Sequence, residues 1–162
     1  MHLTRYYAFE LCAASLKTWA GGSYTGRMPP ELICLYHMAC GLEFIHSQKL
    51  VHRDISPDNV LISLAGDRLA ISDFGLCKPV SETGSYQFSS KVRGKEMWWA
   101  PELIERVEDR ANQKRGTIKS DTFAMGCVFY YLLTRGQHPF LADAKYQVID
   151  NIKKRQSNIE ST

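Results

Sequence analysis

The chain holds 162 residues, enough for one ordinary domain and too few for two comfortable ones. With 44% hydrophobic, 11% aromatic and 23% charged residues it has the composition of a globular core, which excludes a disordered or fibrous chain. Its 20 basic against 17 acidic side chains leave a net charge of +3, too small to argue for a nucleic-acid partner. Five cysteines (Cys12, Cys34, Cys40, Cys77, Cys127) form an odd set without a C-x-x-C pair. Neither a disulfide framework nor a zinc cluster follows, and packing roles in a reducing compartment are expected. The longest apolar run, Phe123 to Leu133, covers about half of the ~20 residues a bilayer crossing needs, and no signal peptide opens the chain.

In chain order, Arg5 to Leu11 reads as a short aromatic-rich strand, with no partner strand before it. Such a strand leaves backbone groups unpaired, which suggests further sequence upstream. Ala13 to Ala20 predicts a short helix closed by Gly21-Gly22, and Tyr24 to Met28 a loop. Pro29-Pro30 opens a long helix that ends near Ser47 and buries a face of Leu32, Leu35, Tyr36, Ala39, Leu42 and Ile45. Leu50-Val51, Val60 to Ile62 and Leu69 to Ile71 are short β segments. From Asp73 to Glu102 the chain reads as mostly irregular, with hydroxyls at Ser81, Thr83, Ser85, Ser89 and Ser90. A loop of that length inside a compact domain usually carries function. A short helix then begins at Pro101 and runs to Arg106, followed by a polar, basic loop from Arg110 to Lys119 whose Lys114-Arg115 is read as solvated. Asp121 to Thr134 is apolar nearly all round and predicts a helix through the domain centre, with Gly136 as its C-cap. Asp143 is the expected cap of a last amphipathic helix, Ala144 to Lys154.

The chemistry gathers in His52-Arg53-Asp54-Ile55-Ser56-Pro57-Asp58-Asn59, then Asp73-Phe74-Gly75, then Ala100-Pro101-Glu102. Phosphoryl transfer asks a protein for positioned charge rather than covalent chemistry. One carboxylate must orient and accept the proton of an incoming hydroxyl, and Asp54 suits that role. An amide oxygen and a second carboxylate must hold Mg²⁺ against phosphates, and Asn59 with Asp73 supplies such hard oxygen ligands.

In order and spacing, these motifs resemble the protein-kinase family, whose large C-terminal lobe carries H-R-D-x-x-x-x-N, D-F-G and A-P-E. Asp121-x-Phe-x-x-Gly126 is similar to that family's central helix, whose aspartate ties down the catalytic loop. Glu10 to Leu16, Ile71 to Lys78, Gly126 to Tyr131 and His138-Pro139-Phe140 resemble more closely the inositol-requiring ER stress sensors. Those are transmembrane kinases fused to an endoribonuclease. The resemblance implies an α+β fold, a mainly helical kinase C-lobe with a small β ribbon and the N-lobe absent. The whole chain, residues 1–162, would be a partial kinase domain: hinge 9–13, catalytic loop 52–59, activation segment 73–102 and central helix 121–134. It further implies ATP and Mg²⁺ as cofactors, with adenine bound at Glu10 to Cys12 and Leu61 packed beneath it. Arg53 would receive a phosphate carried by Ser81, Thr83, Ser85, Ser89 or Ser90. His52, Phe74, Gly75, Glu102 and Asp121 would be structural.

The same resemblance implies a self-phosphorylating serine/threonine kinase of the unfolded protein response. It would be a homodimer on the cytosolic side of the endoplasmic reticulum, reaching RNA only through a ribonuclease domain outside this chain. Three departures stand beside it: the N-terminal lobe, the C-terminal end and two positions of the catalytic segments. Glycine-rich loop, strand lysine and arginine partner of Glu102 have no counterpart, so the isolated chain is expected to be an inactive fragment. The lysine expected two residues after Asp54 is Ser56, and the threonine expected before A-P-E is Lys95. Either the two positions have exchanged roles, with both catalytic, or Lys95 points to solvent. The alternatives to an active kinase are a pseudokinase module that binds nucleotide and dimerises, and a truncated product without independent activity.

Overall fold

Short β-rich segments from the first half of the chain form a three-stranded antiparallel sheet in the computed structural model, which describes residues 8–87, 94–108 and 116–159. Strand β1 (Cys12–Ser15) pairs with β3 (Val60–Ser63), and β3 pairs with β4 (Leu69–Ile71). Cys12 faces Ser63, Ser15 faces Leu61, and Val60 faces Ile71. The strand expected over Arg5 to Leu11 is thus not seen in its described part. Residues 8–11 carry none, residues 5–7 lie outside the described residues, and Cys12–Ser15 takes the pairing. Aromatic propensity missed this segment because a strand needs a partner, and β3 supplies it from downstream.

Strand β1 shortens the following helix to α1 (Leu16–Ala20). Ser15 caps it, its Oγ accepting the Thr18 N–H at 3.1 Å. Helix α2 (Glu31–Ser47) runs as expected, and its buried face is the expected one only in part, through Leu42, Ile45 and the half-buried Leu35. Cys34, Met38, Leu42 and Ile45 are buried, whereas Leu32 is 75% and Tyr36 63% exposed, and Ala39 is exposed too. Apolar residues surround this helix on almost every side, so periodicity could not select the face. Packing against helix α4 (Lys119–Leu133) and the strands selects it.

Helix α4 begins two residues before the expected Asp121 and crosses the main core. There Met125, Val128 and Leu132 meet Leu16, Met38 and Leu42. Thr134 caps it, and Gly136 lies two residues beyond, its N–H bonding Tyr131 O at 2.8 Å. Leu132 is fully buried, so Leu132→Ala is expected to cost about 2–5 kcal/mol of stability, measured by denaturant unfolding.

A second core joins helix α3 (Pro101–Glu108) to α5 (Lys145–Lys154) through Leu103, Ile104, Val148 and Ile152. Asp143 is not the cap of α5. Ala144 occupies that position, and Gln147 reaches back so that its Oε1 accepts the Ala144 N–H at 3.2 Å. His138, 5% exposed, packs edge-on against Trp98 beside this core. Burial pushes the His138 pKa down to about 4. Between that value and the unfolded value near 6.5 the unfolded chain binds the extra proton, so stability rises with pH across this window. His138→Gln is expected to flatten this rise by on the order of 1–2 kcal/mol between pH 7 and pH 5, measured by unfolding at both.

The stretch from Asp73 to Glu102 is more ordered than expected. Strand β2 (Leu50–Val51) pairs with β5 (Lys78–Pro79), and β6 (Ser85–Tyr86) pairs with β7 (Gly116–Thr117). Single 3-10 turns form at Phe74–Leu76 and Glu96–Trp98. Residue pairs this short and distant have no local sequence pattern. The basic loop expected over Arg110 to Lys119 thus contains β7 and the start of α4, while Lys114 and Arg115 lie outside the described residues. All five cysteines are free thiols, and burial pushes Cys34 up to about 11 and Cys127 up to about 12, as befits packing residues. Among the described residues no helix is long and apolar enough to cross a membrane. The architecture is α+β, mainly helical with small antiparallel sheets.

Candidate active site

The loop between β2 and β3, His52 to Asn59, is held from below by one carboxylate. Asp121 sits in the first turn of α4 and is 2% exposed. It accepts the His52 N–H at 2.7 Å, the Arg53 N–H at 2.9 Å and His46 Nε2 at 3.1 Å. Two adjacent amides can converge on one side chain because Arg53 adopts a left-handed backbone, φ 70°. Such a conformation persists in a non-glycine residue only where its surroundings over-determine it.

His52 is fully buried and joins this loop to the next. Its Nε2 donates to Ser72 O at 2.9 Å and its Nδ1 accepts the Asp54 N–H at 3.3 Å, which assigns the neutral tautomer protonated at Nε2. Phe74 packs on its ring at 5.2 Å while remaining 51% exposed. Both ring nitrogens are engaged with backbone, so His52 joins structure to structure. Asp73 has a left-handed backbone (φ 62°), and its Oδ1 accepts the Gly75 N–H at 3.2 Å, which leaves the carboxylate exposed.

Asp54 occupies the centre. Asn59 Nδ2 donates to Asp54 Oδ2 at 2.9 Å and to Asp54 O at 2.8 Å. Both donations use the amide nitrogen, which leaves the Asn59 amide oxygen turned away as a hard acceptor. Asn59 O in turn accepts the Ser72 N–H at 2.9 Å, so Asp54, Asn59 and the Asp73 segment form one hydrogen-bonded unit.

On the other side of Asp54 lies the segment Gly94 to Trp99. The Lys95 N–H donates to Asp54 Oδ1 at 3.1 Å. The Lys95 ammonium stands 3.4 Å from Asp54 Oδ2, 3.1 Å from Ser56 Oγ and 3.7 Å from Asp58 Oδ2. Lys95 therefore turns toward Asp54 and Ser56 with its side chain still 40% exposed. A cleft of about 600 Å³ opens beside it, lined among others by Lys17, Asp58, Lys95, Trp98 and Lys145. Its charges are paired: Lys17 with Asp58 at 3.1 Å and Lys145 with Glu96 at 2.8 Å.

Sequence reasoning passed over Gly94, Lys17 and Asp58. Gly94 has φ +106°, and a Cβ there would lie 2.5 Å from Arg53 O and 3.2 Å from Asp54 Oδ1. Its position directly before Lys95 was the available signal. Gly94→Ala is expected to push the segment off Asp54 with the fold retained, read as lost protection of the Lys95 amide in hydrogen exchange.

The other expected site residues fall in two groups. Cys12 and Leu61 lie on the three-stranded sheet, and Glu10, exposed just before it, pairs with Arg68. Arg53 Nε donates to Leu76 O at 2.5 Å, with its guanidinium 5.9 Å from the Tyr86 ring centre. Ser81 Oγ hydrogen-bonds with Thr83 Oγ1 and Ser85 Oγ, both at 2.9 Å, in one hydroxyl cluster. Tyr86, 3% exposed, anchors the segment against β7, where a Cβ on Gly116 would lie 2.2 Å from its ring. Ser89 and Ser90 lie outside the described residues. Glu102 sits half-buried in the first turn of α3.

Residues 5–162 match the protein kinase domain. The chain is 34% identical to the serine/threonine-protein kinase/endoribonuclease ireA of Aspergillus fumigatus over 96% of its length. It is 38% identical to the human serine/threonine-protein kinase/endoribonuclease IRE2 over 95%, and 33% identical to a Schizosaccharomyces pombe sensor for unfolded proteins in the ER over 74%. It spans 16% of the length of each of the first two relatives and 13% of the third. With the family match covering nearly every residue, the chain belongs to the protein kinase domain family.

Proposed function

We propose that the protein carrying this chain transfers the terminal phosphoryl group of ATP to serine or threonine hydroxyls, its own among them. The observation that supports this most is the Asp54–Asn59 pair. One carboxylate, its side chain 11% exposed, is fixed by a donor from each side, one of them Lys95, which lines an open cleft. A hydroxyl entering the cleft would meet Asp54 as the group that orients it and takes its proton. Asn59 and Asp73 fit a Mg²⁺ ion, which usually takes one or two protein oxygens and completes its shell with phosphates and water. The free amide oxygen of Asn59 and the exposed carboxylate of Asp73 are such donors, and the ion would neutralise phosphate charge there. Backbone of the segment from Glu10 to Cys12 would hold adenine, with Leu61 beneath.

Arg53 faces the residues that follow Asp73, which supports a role in receiving a phosphate placed on the Ser81, Thr83 or Ser85 cluster, with Ser89 and Ser90 as further acceptors. Likeness to kinase/endoribonucleases and to a named ER sensor supports a dimeric sensor of the unfolded protein response, cytosolic-facing at the endoplasmic reticulum. RNA would be cut by a part outside this chain. Measuring Mg-ATP binding and phosphate incorporation separately on the full-length protein tests the proposal. Binding with transfer is the expected outcome, and binding without transfer would select a pseudokinase.

A further inference from the structure

The charges around Asp54 are unevenly disposed. Asp58 lines the cleft, Asp54 lies against Lys95 behind it, and Asp73 follows the Ser72 that is hydrogen-bonded to Asn59, while a nucleotide triphosphate would add several more negative charges. Phosphoryl transfer in such a place needs a cation aimed at the moving group. Two nearby candidates are otherwise engaged. The Arg53 Nε is on Leu76 O at 2.5 Å, beside the Tyr86 ring. Lys17, its side chain 63% exposed, pairs with Asp58 at the outer rim.

Lys95 differs from both. Its backbone N–H is fixed to Asp54 Oδ1, so the residue is anchored, while its four-carbon stem leaves the ammonium free to swing. That ammonium spans Asp54 Oδ2, Ser56 Oγ and Asp58 Oδ2, with its side chain 40% exposed to the cleft. Ser56 itself is fully buried, and its hydroxyl accepts from the ammonium at 3.1 Å.

We infer that Lys95 is a catalytic residue of this site, pairing with the terminal phosphoryl group from the segment that precedes α3, and that Ser56 is the positioning residue that aims it. The inference rests on the kinase reading above. The ammonium stands 3.4 Å from Asp54 Oδ2, the oxygen that would accept the hydroxyl proton. Pairing with the phosphoryl group would turn it from that oxygen, so one contact would supply charge to the phosphate and free the base. In the transfer, the acceptor oxygen bonds to phosphorus as the bond from phosphorus to the bridging oxygen breaks. The hydroxyl proton passes to Asp54, the electron pair leaves with ADP, and Lys95 keeps its protons throughout.

The test uses the full-length protein with Lys95→Met, Ser56→Ala and the double variant. Three quantities are read: affinity for Mg-ADP, affinity for a non-hydrolysable Mg-ATP analogue, and phosphate transfer. Lys95→Met is expected to weaken the analogue about tenfold, leave Mg-ADP within about twofold, and cut transfer about 10²-fold. Ser56→Ala is expected to cost several-fold in transfer alone and nothing further once Lys95 is gone, since it acts through the ammonium. The Lys95 backbone bond survives both substitutions, so neither removes the anchor. Unchanged discrimination and rate in Lys95→Met, with transfer still lost in Asp54→Asn, would overturn the inference and leave the kinase reading standing. Equal weakening of both nucleotides would also overturn it, marking Lys95 as structural. Lost discrimination in Lys95→Met, in a protein whose wild type transfers nothing, would support the phosphate contact and reject the kinase reading.

Discussion

Asp54→Asn is expected to lower phosphate transfer by about 10²–10⁴-fold while leaving Mg-nucleotide affinity within about threefold. The substituted amide keeps the shape of the side chain and one acceptor oxygen for either Asn59 or the Lys95 N–H, but it accepts no proton at working pH. Asp73→Asn should behave differently. It weakens a Mg²⁺ ligand, so metal-dependent nucleotide affinity falls together with turnover. Titrating Mg-ATP binding beside single-turnover transfer separates the two. An Asp54→Asn protein that lost nucleotide as severely as Asp73→Asn would contradict the roles given to them.

The largest stability effect is expected at Asp121. Its carboxylate is 2% exposed and receives two consecutive backbone N–H groups and the His46 ring. Asp121→Ala would leave those donors buried and unpaired, at a cost of about 3–5 kcal/mol, because removing one partner of a buried charged network strands the others. The loop bearing Asp54 would lose its anchor in the same stroke, so transfer should vanish even in whatever fraction stays folded. Asp121→Asn, which keeps one acceptor oxygen, should cost distinctly less. Denaturant midpoints of the three proteins check the ordering, and equal midpoints would contradict it.

How far sequence could be read is shown by particular residues. Asp54, Asn59 and Asp73 stood out because phosphate chemistry asks for hard oxygen groups and these sit in two short motifs, whereas Asp121 stood out only through the resemblance of its helix to the kinase family's central helix. The central helix was legible from its apolar run. The buried face of α2 was legible only at Leu42 and Ile45, since Leu32, Ile33, Tyr36 and Phe44 are as apolar as the residues that pack inward, and only tertiary contacts choose among them. Strand β1 was missed for a similar reason: its partner, β3, lies some forty-five residues downstream. The pairing of Ser85–Tyr86 with Gly116–Thr117 involves two residues on each side, too few for any periodic signal. Gly94 was passed over because its requirement comes from Arg53 O, a backbone atom that approaches only in the folded chain.

The most direct test of the central claim is a mass measurement on the loop itself. Full-length protein, first treated with a phosphatase, would be incubated with Mg-ATP beside its Asp54→Asn variant, and the peptide containing Ser81, Thr83, Ser85, Ser89 and Ser90 would be weighed. The expected result is at least one added phosphate on that peptide in the wild type and none in the variant. Full occupancy of the nucleotide site, with no phosphate gained by this loop or by an added protein substrate, would contradict the claim that this chain carries out phosphoryl transfer.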